Sequence, residues 1–338
     1  MRPGIDSYTG MDKEGHMKDS WKQILPLSLG VVFMAAMLQN ADLAGSACRE
    51  ALEMCARLLI PSLFPFFVLS GYLNRVGLPG LLGKLLAPFA VRLFGVSGAG
   101  ASAFVIGLMG GYPSGAAYIA DMERSGSITV LEAERLLAFC NNSGPAFIVG
   151  AVGLGVFGSV RCGLILYGIH VFAAFLTGLV FRGKHPCTEI QDAQLDSIDP
   201  ALALVGAVRQ AAASILSVCG FAVCFSVLLR VLDAGGVLSL LCGVLAARMG
   251  FEPRFVSAML TGLLELGSGA AAMQGLRPCP ASFALSAFLL GWGGLSVQFQ
   301  TLSVLAESKI KGTLHLAGRL LCAVFAAVTA YVAGLFLF

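Results

Sequence analysis

Gly110-Gly111-Tyr112-Pro113-Ser114-Gly115-Ala116 interrupts an otherwise apolar stretch, Ala101–Ala120. The stretch is long enough to cross a bilayer as a helix, but its middle is built of residues that leave helical geometry: glycines free to adopt it or not, and a proline without an N–H. A second apolar stretch, Phe255–Met273, carries Glu265-Leu266-Gly267-Ser268-Gly269-Ala270 in the corresponding place. Two more interruptions follow the same logic. Phe139-Cys140-Asn141-Asn142-Ser143-Gly144-Pro145 breaks one half, and Phe288-Leu289-Leu290-Gly291-Trp292-Gly293-Gly294 breaks the other. Lipid offers no hydrogen-bond partner, so backbone released from a helix must be satisfied inside protein or beside a polar cavity. Paired broken hydrophobic segments therefore point to a transporter-type binding site at the bilayer midplane.

The composition agrees. Of 338 residues, 57% are hydrophobic and 12% charged, against about 45–50% and about 25% in soluble domains. The mean hydropathy is +0.84. The chain reads as an all-α polytopic membrane protein with broken or re-entrant helices, whose first partner is the lipid bilayer. A net charge of +3, scattered over loops, excludes a nucleic-acid stripe. Ten cysteines lie mostly in apolar runs without a CxxC pair, so they read as small packing residues rather than disulfides or zinc ligands.

Working outward, residues 1–22 form a polar tail and 23–45 an N-terminal membrane helix around Ile24–Leu38. A cleaved signal ending near Ala44-Gly45-Ser46-Ala47 is the alternative for that segment. Residues 46–181 make a first repeat, 182–200 a hydrophilic linker and 201–338 a second repeat. In the first, amphipathic Ser46–Leu59 runs into a span punctuated by Pro61 and Pro65, and Leu78–Val96 is too charged for a plain span and reads as interfacial or re-entrant. Thr129-Val130-Leu131-Glu132 predicts a capping box. Duplication is suggested by offsets: Ser62 with Ser214 at 214 − 62 = 152, Ser114 with Ser268 at 268 − 114 = 154, and Phe139 with Phe288 at 288 − 139 = 149. The Lys/Arg distribution leaves the relative orientation of the halves open.

The candidate solute-binding residues sit on the breaks: Gly110, Gly111, Tyr112, Pro113, Ser114 and Gly115 on the first; Asn141, Asn142, Ser143 and Gly144 on the second; Ser268, Gly293, Ser296 and Gln298 in the other half. The amides offer donors and acceptors, and a half-helix N-terminus carries about +0.5 of partial charge that suits an anion. The competing readings are helix capping by the asparagines and tight helix crossing by the glycines. Ser114 and Asn142 are expected near Ser268 and Gly293. Glu265 must be protonated, paired or hydrated in mid-membrane, at an insertion cost of about 2.5–3.5 kcal/mol if charged. It is either an ion-coupling site or the partner of an arginine such as Arg209 or Arg230. His170 reads as a hydrogen-bonded packing residue. Without a nucleophile–base pair, a phosphate-binding loop or a metal-ligand spacing, the chain is not read as an enzyme and no metal or cofactor is expected.

Pro61-Ser62-Leu63-Phe64-Pro65-Phe66-Phe67-Val68-Leu69, the Gly110–Ala116 break and Glu132-Ala133-Glu134-Arg135-Leu136-Leu137-Ala138-Phe139-Cys140-Asn141-Asn142-Ser143-Gly144-Pro145 resemble the YlbJ-type sporulation integral membrane proteins. That family carries Gate, or nucleoside-recognition, domains distantly similar to concentrative nucleoside transporters. The resemblance runs from about Leu59 to the C-terminus. It implies Gate-like repeats, a role in endospore formation, a place in the outer forespore membrane and export of dipicolinate, a small dicarboxylate. A nucleoside-like solute, or a non-transporting scaffold for other sporulation membrane proteins, is the alternative; a homo-oligomer is left open.

Overall fold

A computed structural model of the chain describes residues 13–183 and 199–338. Positions 1–12 of the polar tail and 184–198 of the linker lie outside the described residues. Among the described residues all regular structure is helical. The first part comprises α1 (Lys13–Gln39), α2 (Ala41–Met54), α3 (Ile60–Arg75), α4 (Leu78–Phe94), α5 (Gly98–Gly110), α6 (Ser114–Arg124), α7 (Val130–Cys140), α8 (Gly155–Phe157) and α9 (Val160–Val180). The second comprises α10 (Pro200–Ala234), α11 (Val237–Met249), α12 (Pro253–Leu264), α13 (Leu266–Ala272), α14 (Pro280–Trp292), α15 (Gly294–Leu305) and α16 (Thr313–Leu337). Two π-helical segments, Cys55–Leu59 and Ala146–Leu154, complete the set.

Four helical units are long and apolar enough to cross a membrane: α9, α10, the α14–α15 run Pro280–Leu305, and α16. Two further pairs, Ile24–Gln39 with Ala41–Leu59 and Gly83–Phe94 with Gly98–Gly110, meet the same test together but bend by 95°. The chain is an integral membrane protein. Large apolar side chains on the outer faces of α1, α4, α10 and α16 stand exposed, as contact with lipid allows.

Local chemistry explains the shapes. Pro61 has no N–H to give the preceding turn and its ring crowds the carbonyl four residues back; the wider π-helical register of Cys55–Leu59 falls there, and α2 runs on into α3. At the α4–α5 bend, Gly95 adopts φ +62°. Ser97 then caps α5 through Gly100 N–H, and Glu132 accepts from Ser97 N–H at 2.6 Å. The anticipated capping box on α7 is half formed. Thr129 does accept from Glu132 N–H, but the Glu132 carboxylate turns to Ser97 instead of Thr129. The N-terminal helix also ends earlier than 45: the chain bends at Asn40, and residues 41–45 belong to α2.

Two long helical units organise the molecule. The run Ala41–Arg75 and the helix α10 have the same length, and they pack antiparallel. Glu50 meets Arg230 at one end, while Gly71 packs on Ala207 and Arg75 bonds Gln210 at the other. Across the molecule, α16 packs mainly on α14 and also crosses α7 and α9. This crossing is tight. A Cβ on Gly291 would lie 2.6 Å from Ala323 Cα, and one on Gly318 would lie 2.7 Å from Ala138 Cα. Small residues let the backbones approach where lipid supplies no hydrophobic drive between helices.

Candidate functional site

Each of the four breaks ends a helix before the next begins. Gly111 follows α5 with φ +73°, a conformation that favours glycine, and a Cβ there would sit 2.9 Å from Gly144 N. The first two breaks therefore touch backbone to backbone. In the second half, Glu265 separates α12 from α13, and Gly293-Gly294 separates α14 from α15. A Cβ on Gly294 would lie 3.0 Å from Leu266 N, and one on Gly293 3.3 Å from Tyr112 Cζ. All four breaks converge.

Arg319, on α16, joins them. It is completely buried, and among the described residues no carboxylate pairs with it. Its Nη1 donates to Asn142 Oδ1 at 3.0 Å and to Tyr112 Oη at 3.2 Å, and its Nη2 donates to Ala138 O at 3.1 Å. Tyr112 passes the contact on, donating to Leu290 O at 3.1 Å and, more weakly, to Gly291 O. Asn142 Nδ2 donates to Phe139 O at 2.8 Å, and His315 Nδ1 lies 3.1 Å from Leu137 O. These carbonyls belong to the last turns of α7 and α14, which have no intrahelical donors left. Each helix C-terminus carries about half a negative charge, so two of them offset one buried guanidinium. The sequence did carry the signal: Arg319 is the sole charge in α16, and His315 lies one turn before it on the same face.

Two helix N-termini at the breaks, those of α13 and α6, are also occupied. Glu265 accepts from Gly267 N–H at 2.9 Å and from Ser268 N–H, capping α13. Arg230 pairs with Glu50, so it is not the partner of Glu265. Asn141 Oδ1 accepts from Ala116 N–H in the first turn of α6, and its Nδ2 donates to Thr301 Oγ1 at 2.9 Å. His170 Nε2 accepts from Ser143 N–H at 3.1 Å. The capping role weighed for the asparagines is thus present in the geometry.

A cavity of about 50 Å³ lies at the convergence. Gly111, Tyr112, Ser143 and Gly144 line it from one half; Glu265, Leu266, Gly267 and Gln300 line it from the other. It holds room for a few waters at most, since one needs about 10–15 Å³. Two more spaces adjoin the breaks. A wide crevice of about 940 Å³ reaches Ser268, between α2, the end of α10, α11 and α12. A small pocket of about 30 Å³ reaches Ser114, between α3, the start of α10, α5 and α6.

The candidate residues thus divide. Gly111, Tyr112, Ser143, Gly144 and Glu265 share the central cavity. Asn141 and Asn142 are buried in the polar network behind it, and Gly115 packs its backbone 3.0 Å, in Cβ terms, from Asn141 Cα. Gly110 packs on Ser114, and Pro113 caps α6 after a cis peptide bond from Tyr112. Gln298 Nε2 donates to Trp292 O at 2.7 Å, spanning the Gly293 break, while the buried Ser296 Oγ has no hydrogen-bond partner among the described residues. Ser114 and Ser268 do not meet as anticipated: each lines its own space on its own side of the cavity. Arg319, Gln300 and Thr301 were not singled out from sequence. Among the described residues no cluster of three or more His, Cys, Asp or Glu side chains is placed to hold a metal.

Comparison with known proteins gives one curated relative. The chain is 30% identical over 331 residues to the sporulation integral membrane protein YlbJ of Bacillus subtilis (strain 168), covering 90% of this chain and 81% of that one. No family model matches, and no solved structure matches.

Proposed function

The chain belongs to the YlbJ family of sporulation integral membrane proteins, and from that premise we propose that it is a transporter of a small anionic or polar solute acting in endospore formation. The observation that carries this reading is the convergence of three helix breaks, from both halves, on one cavity that also borders a carboxylate, with the fourth break, Gly293-Gly294, packed behind its walls at Tyr112 and Leu266. Irregular backbone at membrane depth is tolerated where it is buried in protein or lines a cavity, and these breaks do line one; intramembrane ionisable groups mark solute paths. The present cavity is too small for an organic solute, whose pockets run to about 300–1,000 Å³; the adjoining crevice is within that range. On this reading the protein is open on one side and shut at the centre.

Dipicolinate heads the solute list because of the family's role, and the outer forespore membrane is the corresponding location. A dianion arriving beside Glu265 meets a like charge. That repulsion is removed if Glu265 binds a proton or a small cation, so the geometry favours coupled movement of the two. A scaffold reading draws on a different observation, the backbone-to-backbone packing of Gly111 on Gly144.

Flux in proteoliposomes tests the proposal. Radiolabelled dipicolinate should cross only with the protein present, and a proton or sodium gradient should change its rate. Absence of protein-dependent flux for dipicolinate, for other small carboxylates and for nucleosides would leave the scaffold reading in its place.

A further inference from the structure

We propose that the small pocket at Ser114 is the closed counterpart of the open crevice at Ser268, and that the two are opposite mouths of one path through the Glu265 cavity. The inference rests on the transport reading and adds to it a second, presently shut solute site.

Three sets of lining residues support the pairing. Ser114, Ala117 and Tyr118 line the pocket; 154 positions later, Ser268, Ala271 and Ala272 line the crevice. Ser70, Gly71 and Asn74 line the pocket; 159 positions later, Leu229, Arg230 and Asp233 line the crevice. Gln210, Ala211 and Ser214 line the pocket; 160 positions earlier, Glu50, Ala51 and Met54 line the crevice. The last set inverts the order of the halves, as a two-fold axis between them requires. Each space is therefore built from one half's own helices plus the long helix of the other.

The two spaces lie toward opposite ends of the antiparallel helix pair. Glu50 and Arg230 bond beside the crevice, and Arg75 and Gln210 bond at the pocket end. At 1.5 Å per residue the helical path from Glu50 to Arg75 is about 38 Å, enough to span a hydrocarbon core of about 30 Å. A two-fold axis relating antiparallel spanning helices lies in the membrane plane, the arrangement of inverted-repeat transporters. Between the spaces lies the central cavity. The Glu265–Ser268 break walls it from the crevice, and the Gly111–Ser114 break walls it from the pocket.

The same comparison shows what differs between shut and open. Gly83, on α4, is docked: a Cβ there would lie 2.7 Å from Gly98 O at the start of α5. Its counterpart 160 positions on is Gly243, on α11, which lines the crevice with nothing within 4 Å of its Cβ position. There α11 touches α12 through Cys242 Sγ, 3.1 Å from Pro253 O, instead of through its glycine. Tyr118, bonded to Ser102, fills the pocket where Ala272 leaves the crevice empty. Closing the crevice means docking α11 through Gly243 as α4 is docked through Gly83; opening the pocket means the reverse.

The test uses the full chain in proteoliposomes, in a background whose native cysteines are replaced. Single cysteines are placed by Ser268→Cys and Ser114→Cys, with Gln210→Cys as a second probe of the pocket, and labelled by a membrane-impermeant thiol reagent with and without dipicolinate. Ser268→Cys should label from one side, and both pocket probes, more slowly, from the other. Gly243→Leu, for which the present structure has space, should hold the crevice open and slow pocket labelling and dipicolinate flux about tenfold or more. Labelling of the pocket probes from the same side as Ser268→Cys, or no labelling of either under any condition, overturns the paired mouths. So does unchanged pocket labelling in Gly243→Leu. The labelling arm needs no flux, so failure of this inference is distinguishable from failure of the transport reading.

Discussion

Arg319 and Glu265 are both ionisable, both buried, and both spent on the ends of broken helices, yet their surroundings differ. Arg319 is 0% exposed; its terminal nitrogens are taken by Ala138 O, Asn142 and Tyr112. Glu265 caps a single short helix and borders a cavity, with 5% of its surface accessible. The contrast separates two uses of charge inside a membrane. The Arg319 cation is enclosed by fixed acceptors and completes the fold, whereas the Glu265 carboxylate, held by two backbone N–H groups, stands at the wall of a cavity.

The contrast breaks most visibly at Arg319. Arg319→Leu strands Ala138 O and Asn142 Oδ1, at about 1–3 kcal/mol for each buried group left unpaired, and takes from Tyr112 Oη the bond it accepts while leaving the one it donates to Leu290 O. We expect loss of the folded protein in detergent, read by size-exclusion and thermal unfolding; a variant that unfolds like the parent would remove any role of Arg319 in holding the fold. Asn142→Ala is next, since it strips one acceptor from Arg319 and uncaps Phe139 O. Its thermal midpoint should fall clearly, ahead of any change in solute affinity. Tyr112→Phe should cost about 1–2 kcal/mol, because it cuts only the relay from Arg319 to the end of α14. Glu265→Gln should change stability least, since the amide oxygen still accepts from one backbone N–H of α13. Its effect belongs to function: gradient-dependent flux should vanish while gradient-independent flux persists. Unchanged gradient dependence would reduce Glu265 to a helix cap.

Much of this was legible in the sequence because breaking a helix in lipid requires special residues. Gly111, Pro113, Asn141, Gly144, Glu265 and Gly293 announce the interruptions by type alone, and α9, α10 and α16 by length and apolarity. Partners were harder to read. Whether Asn142 faces a solute or Arg319 depends on contacts 177 residues apart in the chain, which periodicity does not record. Glu132 turned to Ser97 for the same reason: a tertiary N–H competed with the local one. Ser114 and Ser268 both sit on breaks of small residues, yet they line separate spaces, because residue type marks where a helix breaks and not which element packs against the break. Arg319, the sole charge in α16, is itself a strong signal of an intramembrane role, but its type does not name the acceptors it meets.

On the proposed transport reading, solute passes through the cavity where the breaks meet. Ala222, on α10, lines that cavity without joining the polar network. Ala222→Val adds two carbons to the space and leaves Arg319, Asn142 and Glu265 their partners. The decisive measurement is dipicolinate flux through this variant in proteoliposomes, beside its thermal midpoint in detergent. The account predicts a midpoint close to that of the parent and flux reduced about tenfold or more. Flux equal to the parent's, in a protein with the cavity filled, would contradict it.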